Sequence, residues 1–182
     1  MSETIGIIVA HDREGAIGRG GKMPWGDRDQ RDDMLHFKEV TGQDAVIMGS
    51  TTWNSLPETF RPLPNRQNIV ISRGREAIKG AVRASGIGDA YSQADSQTAW
   101  VIGGASIYNL ALPTADIVVA TEIDTVIEDA DTFFPVKDPS WAENWVEIER
   151  SEKHDPDVRN RFGYTFVTYV RRSPIEIYGF NE

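Results

Sequence analysis

A chain of 182 residues is the size of one domain, and 40% apolar with 26% charged residues is the balance of a folded globular protein. Asp and Glu total 28 against 19 Lys and Arg, and the formal net charge of -9 works against binding nucleic-acid phosphates or an anionic membrane. The absence of cysteine excludes disulfides, thiolate metal sites and a cysteine nucleophile, and fits a reducing, cytoplasmic setting.

The first apolar run, Ile5–Ala10, is too short for a signal-peptide core or a membrane span and reads as a buried strand. Gly15–Lys22 follows. A phosphate loop needs a glycine four residues ahead of its Gly-Lys pair and a Ser or Thr behind it, whereas Ala16 and Met23 stand there, so the segment reads as a surface loop. Met34, Phe37 and Val40 recur at helical spacing over Asp32–Val40. Strand Ala45–Met48 leads through Gly49-Ser50 to a short helix whose hydroxyls at Thr51 and Thr52 suit a cap and which stops at Pro57. Strand Asn68–Ser72 ends on Arg73, and a short helix is predicted over Gly88–Ala94. Strand Ala99–Ile102 runs through Gly103-Gly104 into helix Ala105–Leu112, closed by Pro113, and strand Ile117–Thr121 comes next. Glu128-Asp129-Ala130-Asp131 reads as a solvated turn. Strands Trp145–Glu149 and Phe162–Arg171 close the order, the second alternating like a late antiparallel strand. Residues 1–172 are expected to form a single α/β domain. A mostly parallel sheet of about eight strands, with a C-terminal antiparallel strand, would lie between about four helices, leaving Ser173–Glu182 as a tail.

Three strand ends carry groups that suit an anion: Gly49-Ser50-Thr51-Thr52, Ser72-Arg73 and Gly103-Gly104-Ala105-Ser106. Together they point to a long ligand with several anionic groups, such as a dinucleotide. Asp33 and Phe37 lie four apart on one helix face, a carboxylate beside an aromatic, which suits a flat heterocycle with hydrogen-bond donors. On these residues alone the plainer reading leads: Asp32 and Asp33 are solvated acids in a helix first turn, where the macrodipole favours them. His11, His36 and His154 are scattered and form no metal-ligand motif.

Taken in order, these segments resemble the bacterial type of the dihydrofolate reductase family from Ile5 to Arg171. The resemblance rests on Gly15-Ala16-Ile17-Gly18, Met23-Pro24-Trp25, Asp33 with Phe37, Val46-Ile47-Met48-Gly49, Thr52-Trp53 and Pro62-Leu63-Pro64-Asn65-Arg66. Asn68 to Arg73, Ile102-Gly103-Gly104, Tyr108, Thr121-Glu122-Ile123-Asp124 and Asp131-Thr132-Phe133-Phe134-Pro135 complete it.

The resemblance implies NADPH-dependent reduction of 7,8-dihydrofolate to tetrahydrofolate, with dihydrofolate and antifolate-type small molecules as partners, no metal, and a monomer. It gives the pterin to Asp33 and Thr121, with Trp25 orienting a water and the carbonyls of Ile8 and Ile102 lining the pocket. Met34, Phe37 and Leu56 would hold the rings, Arg66 the glutamate carboxylate, and Tyr108 a place in the same pocket. The nicotinamide would meet Ala10, Ile17, Gly18 and the closing loop at Met23. The pyrophosphate falls to Thr51, Thr52 and the helix start Gly103, Gly104, Ala105 and Ser106, with Gly49, Ser50 and Ile107 also in the cofactor site, and the 2′-phosphate to Ser72 and Arg73. A cis Gly103–Gly104 bond is implied too. Ser50 and Ser106 depart from the family's frequent cations and Ala105 from its third glycine, while the loop from Trp25 to Asp33 is longer than in short bacterial members. Asp32 is expected to point elsewhere and to be dispensable. Two other readings share the fold: a reductase of a ribosylated pyrimidine and a non-catalytic nucleotide-binding protein.

Overall fold

The computed structural model of the protein describes residues 2–26 and 29–172, so the expected tail Ser173–Glu182 and part of the long loop lie outside the described residues. Nine residues of β1 (Thr4–Asp12) form the spine. Its side chains alternate: Ile5, Ile7 and Val9 enter one core, Ile8 the other, so the strand is covered on both faces. That coverage is why the run is apolar throughout. Gly6 serves it, since a Cβ there would lie 2.5 Å from the Trp100 ring.

On one face lie α1 (Arg31–Thr41) and α2 (Ser50–Ser55), whose Phe37, Val40 and Trp53 pack with Ile8, Val46, Met48, Trp100 and Val119. On the other lie α3 (Ile87–Gln93) and α4 (Ala105–Ala111), with Ala90, Ile107, Tyr108 and Ala111 against Val101 and Val118. The eight-stranded sheet comprises β1, β3 (Ala45–Gly49), β4 (Asn68–Ile71), β5 (Val82–Ala84), β6 (Thr98–Gly103), β7 (Ile117–Ile123), β9 (Trp145–Arg150) and β10 (Tyr164–Arg171). Its order is β5-β4-β3-β6-β1-β7-β10-β9; the first six are parallel, and β10 pairs antiparallel with both neighbours. The predicted α/β architecture is the one observed. Elements without a sequence signal are short: β2 (Ala16–Gly18) paired with β8 (Thr132–Phe133), β5, one 3-10 turn at Glu58–Phe60 and α5 (Ser140–Asn144). One local expectation fails. Gly49 is the residue that caps α2, and Thr51 and Thr52 lie inside the helix, which has no side-chain cap bond. Among the described residues no helix is long and apolar enough to cross a membrane.

Candidate active site

Asp33 is the third residue of α1 and is only 9% exposed, so the solvated reading fails for this acid. Burial lifts its pKa from the ordinary 3.8 to about 6, while the neighbouring Thr121 hydroxyl pulls the other way. Register explains the meeting. Ala10 pairs with Thr121 and Ile8 with Val119, so Thr121 projects from the β7 face that α1 covers. Asp32 turns away from the site, as expected, but it is not idle. Its carboxylate accepts hydrogen bonds from Tyr164 Oη at 2.7 Å and from Asn160 Nδ2 at 3.0 Å.

Half-buried Phe37 and Leu56 pack on the core beside half-buried Ile102, and Met34, 36% exposed, sits on the turn of α1 that carries Asp33. Arg66 leans over this wall. Its guanidinium lies 5.9 Å from the Phe37 ring centre and donates to Thr41 Oγ1. Trp25 is buried against Ile123 and Tyr164 with Met23 alongside, and its indole N–H has no acceptor among the described residues. A buried carboxylate, a hydroxyl and a free indole N–H above apolar walls can hold and orient a flat, donor-bearing heterocycle.

The second half of the site gathers at the ends of β3 and β6, which pair Met48 with Gly103. Gly49 packs on Ile107, where a Cβ would stand 3.0 Å away, and Gly104 stands against Thr52, where it would be 3.4 Å from Oγ1. Gly103 has φ +115, and its bond to Gly104 is cis as the resemblance implies. A Cβ on Gly103 would sit 3.2 Å from the Tyr108 ring, whose hydroxyl donates to the Ile8 carbonyl. Helices α2 and α4 thus begin side by side without side-chain caps, with Ser50, Thr51 and Ser106 exposed and Thr52 and Ala105 half-buried. At the end of β4, Ser72 is half-buried and Arg73 exposed; Arg73 has no hydrogen bond or ion pair with the described residues.

Ala10, Ile17 and Gly18 flank the loop that runs to Met23. Two acids pin it. Asp131 Oδ2 accepts from the Gly20 N–H at 2.7 Å, and the Asp131 N–H donates to the Gly18 carbonyl. Asp131 is exposed as predicted, yet its carboxylate is engaged. Asp12, which drew no attention in the sequence, is fully buried and accepts from the N–H groups of Glu14, Ala16 and Ile127 at 2.7 to 2.9 Å. The only hint of it was an acid at the end of an apolar strand. A separate cavity of about 570 Å³ opens on the opposite sheet face, where His11 pairs with Glu122. Its acids Glu122 and Asp124 are already engaged, Glu122 by Arg150 and Tyr169 and Asp124 by Arg13 and Lys153.

Residues 4–171 match the family described as dihydrofolate reductase. The chain belongs to that family. It is 40% identical over 139 residues to the dihydrofolate reductase of Mycobacterium tuberculosis, covering 75% of this chain and 83% of the relative. Against the Neisseria meningitidis serogroup B dihydrofolate reductase it is 39% identical over 169 residues, covering 92% and 98%. Among solved structures it is similar to dihydrofolate reductase from Enterococcus faecalis complexed with NADP(H) and RAB-propyl. The TM-score is 0.81 at 27% identity, covering 93% of this chain and 97% of that one.

Proposed function

We infer that the protein is an NADPH-dependent dihydrofolate reductase that converts 7,8-dihydrofolate to 5,6,7,8-tetrahydrofolate. The observation that carries the reading is Asp33, a buried carboxylate beside Thr121 above an aromatic wall, where a family relative is expected to hold its pterin. The Asp33 carboxylate would accept hydrogen bonds from pterin N3–H and the 2-amino group, with Thr121 assisting. Phe37, Met34 and Leu56 would hold the rings beneath the Ile8 and Ile102 carbonyls, with Tyr108 bonded to the first of these. Arg66, kept over Phe37, would present its planar fork to the glutamate α-carboxylate. Trp25 would use its unpaired indole N–H to orient a water, the source of the proton for N5.

The cofactor half fits NADPH. Two adjacent uncapped helix starts separated by glycine, at Gly49 to Thr52 and Gly103 to Ile107, suit a diphosphate, and Ser72 and the exposed Arg73 suit a 2′-phosphate. Ala10, Ile17, Gly18 and Met23 would enclose the nicotinamide and exclude water. Bound between these residues, NADPH would supply the hydride chemistry, with nicotinamide C4 facing pterin C6. The protein's contribution is proximity, orientation and a dry site.

Absorbance at 340 nm tests the reading, with NADPH and dihydrofolate in one cuvette and a ribosylated aminopyrimidine in another. Oxidation of NADPH only with dihydrofolate supports it; turnover of the pyrimidine alone, or of neither, overturns it.

A further inference from the structure

Helix α1 begins without a cap of its own. Gln30 precedes it in a non-helical conformation and makes no side-chain cap bond, which leaves the first N–H groups of the helix to be satisfied from elsewhere. Two of them are satisfied from far along the chain. The Arg31 N–H donates to the Arg159 carbonyl at 3.2 Å, and the Asp32 N–H to Asn160 Oδ1 at 3.0 Å. Asn160 is 1% exposed, and its amide also donates to Asp32 Oδ2 and Asp157 Oδ1, both at 3.0 Å. Its own N–H donates to Asp157 Oδ1, so the side chain is held on every side.

Around this point the two segments form a seam. Gln30 exchanges two hydrogen bonds with the Phe162 backbone, and the Arg161 N–H donates to the Asp29 carbonyl at 2.7 Å. Tyr164 donates to Asp32, and one turn further along α1 the His36 ring stacks on Phe166 at 3.8 Å. The residue after Asp32 is Asp33. An uncapped first turn frays, and the third residue of a helix frays with it.

We propose that Asn160 is a positioning residue for the reaction: by capping α1 from across the fold it sets where the Asp33 carboxylate stands against Thr121. The assignment rests on the reading of Asp33 as the pterin-binding acid. Asn160 touches neither half-site, so it acts on dihydrofolate only through the helix start.

The test compares purified Asn160→Ala and Asn160→Ser with the unaltered protein, counting active sites by NADPH binding. Asn160→Ala is expected to raise KM for dihydrofolate and to lower kcat/KM per active site about tenfold, about 1.4 kcal/mol and the ordinary cost of a lost cap. The Kd for NADPH should stay unchanged, and the amides of Asp32 and Asp33 should exchange faster with solvent. Asn160→Ser keeps a short cap oxygen and should fall between the two, and it carries the test if the alanine variant does not fold. A merely architectural role would lower the melting temperature and the yield of active sites while leaving KM and kcat per site alone; that outcome overturns the proposal. Asp33→Asn is run alongside. If it cripples turnover while neither Asn160 variant changes KM, the proposal fails and the reading of the site stands; if Asp33→Asn is itself silent, the reading fails and takes the proposal with it.

Discussion

The hydroxyl of Tyr108 on α4 donates to the backbone carbonyl of Ile8 on β1 at 2.8 Å, through the core and across 100 positions of sequence. Burial, joined by the nearby Asp33 charge, pushes the phenol far above the ordinary tyrosine range, so it is a neutral donor at every working pH. The bond fixes the Ile8 carbonyl, the edge of the proposed pterin pocket, to the helix that follows Gly103-Gly104, and so ties β1 to α4. Tyr108→Phe leaves that buried carbonyl short of a donor, a loss of about 1–3 kcal/mol. Thermal melting should fall by roughly 2–4 °C for each of those kcal/mol in a domain of this size. Turnover should fall with it, because the Ile8 carbonyl loses its anchor. Unchanged melting and unchanged kcat would remove this bond from both accounts.

On the proposed reading, cofactor choice would rest on Arg73. Ser50 and Ser106 are exposed and uncharged, and among the described residues Arg73 has no partner to compete with a phosphate. An ionic hydrogen bond is worth roughly 1.5–3 kcal/mol, so Arg73→Ala should raise the Kd for NADPH about tenfold to a hundredfold. NADH, which has no 2′-phosphate, should bind as before. The difference should narrow at high salt, since the guanidinium is solvent-exposed and screened. Fluorescence titration with both dinucleotides at two salt concentrations reads this directly, and equal losses for both would sink the idea.

The long strands were legible because burial on both faces leaves runs such as Ile5–Ala10 and Ala45–Met48 with no polar positions. Strands of two or three residues, β2, β5 and β8, are too short to show any period. At the site, Asp33 with Phe37 was visible as a helix face, and only the ordered resemblance lifted it above a solvated first turn. Asp12, Asn160 and Tyr164 were not visible at all. The bonds from Ile127 to Asp12, from Asp32 to Asn160 and from Tyr164 to Asp32 join residues more than 100 positions apart, and no local spacing encodes that. The partners of Asp32 were hidden for the same reason: its face of the helix could be read, but not what the C-terminal segment places there.

Asp32→Asn is therefore expected to cost stability. The carboxylate gathers Tyr164 Oη, Asn160 Nδ2 and, at 3.5 Å, the Arg159 guanidinium. All three meet Oδ2, so an amide that places its oxygen there keeps an acceptor but loses the charge and the ion pair, and it buries an N–H₂ where Oδ1 has no partner among the described residues. A loss of about 1–3 kcal/mol should appear in urea unfolding as a lower midpoint at unchanged slope. No change in midpoint would show that water serves these donors as well as the carboxylate does.

The neighbouring acid should behave in the opposite way. Asp33 has its pKa raised from 3.8 to about 6, so the folded state holds its proton more tightly than the unfolded one. The stability linked to that proton is full below about pH 4 and is lost as pH rises through 6. Above that, the buried charge costs the fold about 3 kcal/mol, taken as an upper figure for a shift of this size. Asp33→Asn removes the titration. The variant should melt higher than the unaltered protein at pH 7–8, with the gain fading toward pH 4. Activity should move the other way. Asparagine presents N–H donors to pterin N–H groups, leaving buried donors face to face at about 1–3 kcal/mol each. Hydride transfer to dihydrofolate should fall at least tenfold to a hundredfold at pH 7, at roughly 1.36 kcal/mol per decade. Below pH 6 the two proteins should converge, since the carboxyl of the unaltered protein loses its charge there and more substrate is already protonated at N5. NADPH affinity should hardly change, because the carboxylate serves the other half of the site. Melting and single-turnover rates measured from pH 4.5 to 8 check both halves, and a variant that gained neither stability nor lost rate would mean the carboxylate is not buried against the pterin.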